Sequence, residues 1–110
     1  MEYEIYRKLR DLENLKTHII IIKPADCNME SLKILGEQLK EKYQSVDIAA
    51  VFVFDDKKAA DLFRDTDPDY LPNFFSFHFV ASYNRNVNTG LNRFFIHLPK
   101  EEGGELEIMF

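Results

Sequence analysis

The chain contains few of the residues that end secondary-structure elements or cross-link a fold. Its 110 residues include one cysteine, no tryptophan, four glycines and four prolines. A single cysteine excludes an intramolecular disulfide and a thiolate cluster for zinc or iron–sulfur. Four glycines are too few and too far apart to form a Gly-rich phosphate-binding loop, since only Gly103 and Gly104 are neighbours. Internal repeats and low-complexity tracts are also missing, so repeat architectures are excluded.

Long apolar runs are missing as well. The two longest, 18–22 and 48–54, are far shorter than the roughly twenty residues that a membrane-spanning helix needs. Residues 1–8 lack the apolar stretch and the small-residue cleavage site of a signal peptide. We therefore expect no membrane contact. With Met1 as the natural start we expect a cytoplasmic location, which a removed leader would leave open.

The chain has no excess of positive charge. Fourteen lysines and arginines stand against 19 acidic residues, which gives a net charge of -5. A nucleic-acid binder has to neutralise phosphates, so this balance argues against DNA and RNA as partners. A basic protein is a better match for such a surface, because opposite charge speeds association.

Apolar and aromatic residues are plentiful. Hydrophobic residues make up 45% of the chain, and ten residues are phenylalanines. This is enough apolar material for one core in a chain of this length. We predict a single domain over residues 1–110. The N-terminal residues 2–15 fit two interpretations, because Ile5, Leu9 and Leu12 keep helical spacing whereas residues 3–7 alternate as in a strand. We favour an edge strand followed by a polar connection.

A strand–helix–strand unit follows. Residues 17–23 contain four consecutive isoleucines and predict a central strand buried on both faces, ended by Pro24. Asp26 or Asn28 can cap a helix over 29–43, which has a Leu stripe at helical spacing. The β-branched and aromatic stretch 46–54 predicts a second strand parallel to the first.

The C-terminal half predicts a short helix and a long hairpin. The helix covers 57–64, and 65–73 has the composition of a surface loop. A two-residue turn at Thr89-Gly90 would place Ala81 opposite Leu98 and Ser82 opposite His97. The predicted core side then carries Phe77, Phe79, Ala81, Tyr83, Phe94, Ile96 and Leu98. The other side, the mixed face, carries His78, Val80, Ser82, Asn84, Asn86, Arg93, Phe95 and His97.

These elements predict an α+β fold. We expect a mixed sheet of about five strands, with two helices on one face and a long C-terminal antiparallel hairpin. The other face is expected to be partly solvated. The alternating residues 105–110 predict a last edge strand.

The mixed face offers one catalytic hypothesis. Ser82 opposite His97 could act as nucleophile and base in a small hydrolase, with Asn84 or Arg93 stabilising an oxyanion. The competing interpretation is that these are ordinary polar residues of a half-exposed strand. We favour that interpretation and expect no enzyme, because no carboxylate is placed to orient His97.

Metal and cofactor sites are not expected. The three histidines lack the spacing of a ligand motif, so we predict neither a metal nor a cofactor. Asp55 and Asp56 resemble magnesium-binding carboxylates in placement only, and helix capping explains them better. Cys27 near a helix N-terminus could have a lowered thiol pKa, but a buried thiol, or one without a chemical role, is the simpler interpretation.

The remaining hypothesis is a non-catalytic protein-interaction module. Its contact residues would be aromatic and Arg anchors together with the Asn-rich hairpin tip. The partner would be a second copy of the chain, or a basic enzyme for which the domain acts as an acidic inhibitor or immunity-type partner. The predicted contact residues are Phe74, Arg85, Asn86, Arg93 and Phe95.

Overall fold

Six strands form one mixed sheet in the part of the chain that the structure describes. The computed structural model describes residues 1–65 and 78–110. In that part of the chain the strands lie in the sheet in chain order, and only β2 and β3 are parallel neighbours. The predicted α+β class and mixed sheet are confirmed, with six strands where about five were expected. The elements are β1 (Glu4–Asp11), β2 (Leu15–Ile21), α1 (Met29–Lys42), β3 (Ile48–Phe54), α2 (Lys57–Asp65), β4 (Phe79–Asn86), β5 (Leu91–His97) and β6 (Glu105–Met109).

The central β2–α1–β3 unit forms as predicted. The side chain of Asn28 caps α1 by accepting from the backbone amide of Ser31 at 2.9 Å. The Leu stripe of α1, which consists of Leu32, Leu35 and Leu39, is fully buried against the sheet. Across the described residues, no helix has the length and apolar character to cross a membrane.

The two helices lie on opposite faces of the sheet, so the expectation that both cover one face is wrong. α1 packs over β4 and β5 in the cluster that also contains Val51 and Val53 of β3, whereas α2 packs through Ala59 and Ala60 in a second cluster that includes Phe54. Both alternating sets of side chains are apolar in β3 and in the isoleucine part of β2, and strands of this kind require cover on both sides. We call the two sides the α1 face and the α2 face.

The hairpin differs from its predicted register by two residues. Asn86 pairs with Leu91, so the turn contains four residues, 87–90, and Ala81 lies opposite Ile96. A shift of two residues preserves which side chains share a face. Asp47 contributes to the longer turn, because its carbonyl accepts from the amide of Val87 at 3.0 Å.

A bulge at the start of β4 reverses two predicted positions. Val53 pairs with Ala81 but Phe54 pairs with Phe79, so one extra residue interrupts the ladder. Phe79 therefore packs in the cluster on the α2 face, and Val80 joins the core under α1. Both assignments are opposite to the prediction.

A hydrogen-bond chain runs from the exposed Asp11 at the end of β1 through the buried His18 to Tyr43, which directly follows α1. His18 is 3% exposed, and its Nε2 lies 2.9 Å from Asp11 Oδ1 while its Nδ1 lies 2.7 Å from the Tyr43 hydroxyl. An ionised carboxylate only accepts, so Nε2 carries the proton and Tyr43 donates to Nδ1. Burial lowers the pKa of His18 despite the nearby Asp11. Hydrogen bonds from Lys16 and His18 lower the pKa of Asp11 to about 2.

Candidate functional site

The α2 face extends beyond the helix that covers it. α2 packs over β2 and β3 through Ala59, Ala60 and Phe63. Strand pairing continues the same face across the hairpin, because Phe52 lies opposite Ser82 and Ser82 lies opposite Phe95. We call the surface on the last three strands the β4–β6 patch. It consists of Ser82, Asn84, Arg93, Phe95, Glu107 and Met109.

A series of aromatic rings leads from α2 into this patch. The ring centroids of Phe63 and Phe52 are 4.5 Å apart, and those of Phe52 and Phe79 are 6.1 Å apart. His97 then lies 5.0 Å from Phe79 and 4.5 Å from Phe95. All five rings are half-buried. Such spacings are those of interacting aromatic pairs, so the series fixes the orientation of Phe95 at its outer end.

Arg93 and Glu107 form the charged part of the patch. Arg93 Nη1 lies 3.3 Å from Glu107 Oε1, with side chains 39% and 44% exposed. Arg93 Nε is buried and has no hydrogen-bond partner among the described residues. A buried unsatisfied donor carries a desolvation cost. A partner oxygen that drew the guanidinium outward would remove that cost.

The proposed Ser82–His97 pair is not assembled. Ser82 is 8% exposed and lies opposite Phe95, while His97 pairs in the sheet with Glu105. No Ser82–His97 hydrogen bond occurs in the described part of the chain, where the predicted register would have placed them side by side. A carboxylate does lie near His97, since Glu105 Oε1 is 3.8 Å from its Nδ1. Burial lowers the pKa of His97, and Glu105 partly opposes this.

The predicted contact residues separate into two groups. Arg93 and Phe95 lie together on the α2 face. Arg85 projects with the opposite set, and its Nε donates to the carbonyl of Val46 at 2.8 Å, so it fastens the hairpin to the α1–β3 connection. The side chain of Asn86 accepts from the amide of Asn88 at 3.0 Å and stabilises the turn. Phe74 lies outside the described residues, as do 66–73 of the predicted loop.

A second cluster of polar side chains, which the sequence did not predict, surrounds Asp55. Asp55, which follows β3, lies beside two donors: His78 Nδ1 is 2.6 Å from its Oδ1, and Cys27 Sγ is 3.4 Å from its Oδ2. Asp56 instead caps α2, because its Oδ1 accepts from the amide of Ala59 at 3.0 Å. The predicted capping role therefore belongs to Asp56, and Asp55 organises the cluster.

Cys27 is not an activated thiol. Burial, followed by the charge of Asp55 and its hydrogen bond, raises the pKa of Cys27 to about 12. The thiol is therefore protonated near neutral pH and is a poor nucleophile. Within residues 1–65 and 78–110, no three or more His, Cys, Asp or Glu side chains are arranged to hold a metal ion.

Comparison with known proteins gives no relative from which a role could be transferred. No family model, no curated protein and no solved structure matches this chain. Its function therefore has to be argued from the geometry of the patch and of the cluster around Asp55.

Proposed function

We propose that this protein is a non-catalytic interaction module that self-associates through the β4–β6 patch. The observation that carries the proposal is Phe95, a half-exposed ring held in place by His97. Next to it stands Arg93, whose buried Nε lacks a partner among the described residues. Preoriented aromatic and Arg side chains are the residues that dominate interface energetics.

The patch is complementary to itself in charge, which favours a second copy as the partner. Arg93 and Glu107 lie on neighbouring strands, with Glu105 two residues before Glu107 in β6. A two-fold axis through the patch would bring Arg93 of each copy toward the carboxylates of the other, because residue i contacts j while j contacts i. The net charge of -5 on each copy opposes association, but salt screens this long-range repulsion.

The test is the molar mass in solution, measured by light scattering over a range of concentrations. The wild-type protein is expected to form a concentration-dependent dimer. Phe95→Ala should weaken it by about 2 kcal/mol, roughly thirtyfold in the dissociation constant, as expected of a central aromatic anchor. The matched control is Ile34→Ala, which removes a 49% exposed apolar side chain from α1.

Charge reversal tests the self-complementary arrangement separately. Arg93→Glu alone should weaken the dimer, and combining it with Glu107→Arg should restore it, provided that circular dichroism shows all variants folded. A protein that stays monomeric at every concentration would refute self-association. A dimer equally sensitive to Ile34→Ala and Phe95→Ala would place the interface elsewhere.

A further inference from the structure

The carboxyl ends of β2 and β3 open onto a cavity distinct from the β4–β6 patch. Its volume is about 270 Å³, which suits a ligand smaller than a typical drug molecule. Parallel strands that end at one edge of a sheet form a frequent ligand-binding position in α/β folds. The β5–β6 connection closes the other side, so four separate parts of the described chain contribute to the cavity. Among the described lining residues, only His97 also belongs to the aromatic series.

The walls of the cavity are largely apolar. Two of them come from prolines that end strands, Pro24 after β2 and Pro99 after β5. Val80, turned inward by the bulge, and Leu98 complete the apolar lining, and both are buried. These side chains offer contact surface to a short hydrocarbon group.

The polar lining is acidic. Asp55 and Glu102 contribute carboxylates, and His78 and His97 contribute imidazoles. Asp26 adds a third carboxylate nearby, since Asp26, Glu102 and Asp55 all raise the pKa of the Cys27 thiol through their charge. The described lining contains no lysine or arginine. Carboxylates beside apolar walls favour a cation that carries a short apolar body.

We propose that this cavity binds a small organic cation, an alkylammonium group whose hydrocarbon portion contacts Pro24, Val80 and Leu98 and whose charge faces Asp55 and Glu102. The three hydrogens of a primary ammonium can be shared between carboxylate oxygens, while His78 and Cys27 hold the carboxylate of Asp55 in position. The source of the ammonium is either a free amine or a lysine side chain of another protein.

The test is an NMR titration of the full-length chain at pH 8 with n-butylammonium, butyrate and 1-butanol. Butylammonium is expected to shift the backbone signals of Leu98 and Glu102 with saturation in the roughly millimolar range, and butyrate is expected to shift neither. Nα-acetyl-lysine amide distinguishes the sources: tighter binding than butylammonium indicates a protein lysine, and weaker binding indicates a free amine.

Two variants with the same net charge provide the control. Glu102→Gln removes a lining carboxylate and should weaken butylammonium binding roughly two- to fivefold, as expected for a partly exposed ion pair. Glu101→Gln removes the neighbouring carboxylate, which does not line the cavity, and should leave the affinity unchanged. Asp55→Asn should weaken binding further if it folds, and Glu102→Gln keeps the test decisive if it does not.

Three results would overturn the proposal. Butyrate or butanol could shift the same signals as strongly as butylammonium, which would show that charge is not recognised. The two Gln variants could weaken binding equally, which would show general attraction to an acidic protein. Finally, the signals could remain unshifted throughout the titration. Because Phe95→Ala leaves these lining residues in place, failure here is separable from failure of the dimer.

Discussion

The hydrogen-bond chain from Asp11 through His18 to Tyr43 can be tested by Tyr43→Phe. The change removes only the hydroxyl that donates to His18 Nδ1 at 2.7 Å and keeps the ring, which is 1% exposed. With His18 itself 3% exposed, its Nδ1 would lose a donor without gaining water. A buried acceptor left unsatisfied costs about 1–3 kcal/mol, so we expect the free energy of unfolding to fall by about 2 kcal/mol.

Tyr83→Phe is the matched control. Tyr83 is equally buried, and its hydroxyl also donates at 2.7 Å, but to the side-chain oxygen of Asn92. Asn92 is only half-buried, so water can replace the lost donor and the expected loss is about 1 kcal/mol or less. The comparison therefore separates the removal of a buried partner from the removal of a hydroxyl as such.

Urea unfolding at pH 7.5, followed by circular dichroism, measures both variants. With a denaturant dependence of about 1.5 kcal/mol per molar urea, Tyr43→Phe should lower the midpoint by roughly 1.3 M. Equal midpoints for the two variants would refute the reasoning. The same holds if Tyr43→Phe lost less than about 0.5 kcal/mol, because the His18 acceptor would then be satisfied without Tyr43.

Two further predictions concern packing and pH. Gly36→Ala should lower the melting temperature. The alanine methyl would lie 2.8 Å from Cδ2 of the fully buried Phe94 ring. Such overpacking costs about 1–3 kcal/mol, which outweighs the gain of about 1 kcal/mol in helix propensity. A higher melting temperature would show that the ring yields. Burial lowers the pKa of His18, so below pH 6.5 this side chain binds a proton in the unfolded chain but not in the folded chain. The free energy of unfolding, measured with urea, should therefore fall below pH 6.5 by up to about 1.4 kcal/mol per pH unit. The fall should be less steep in His18→Gln. An unchanged slope in that variant would contradict the assignment.

The sequence predicts the local elements well where residue chemistry leaves few alternatives. The isoleucine run before Pro24 predicts a buried strand, and Asn28 is a strong helix N-cap. Both form where expected, and a short helical crossover makes the flanking strands parallel. Between the bulge and the turn, the hairpin faces also follow from alternation, because the register error was two residues and a shift of two keeps a side chain on its side.

The arrangement of the layers was harder to predict. The isoleucine run implied that both faces of β2 are covered, but the apolar pattern of α2 does not show on which face of the sheet this helix packs. The answer depends on the phenylalanines of β3, Phe52 and Phe54, which alternate with two buried valines and require their own cover. Fold class follows from element types, but the side on which a short helix packs follows from tertiary contacts.

The candidate sites depend on pairings that alternation alone cannot reveal. The cavity joins Cys27, Asp55, His78 and His97, which meet because a parallel pair and a hairpin end at one edge of the sheet. A signal for this edge was present, since Pro24 and Asp55 end two strands that were predicted to be parallel. The bulge gave no such signal, because the apolar pattern runs through it unbroken. That one extra residue sends Phe79 to the aromatic series and Val80 to the cavity wall, so it shapes both sites at once.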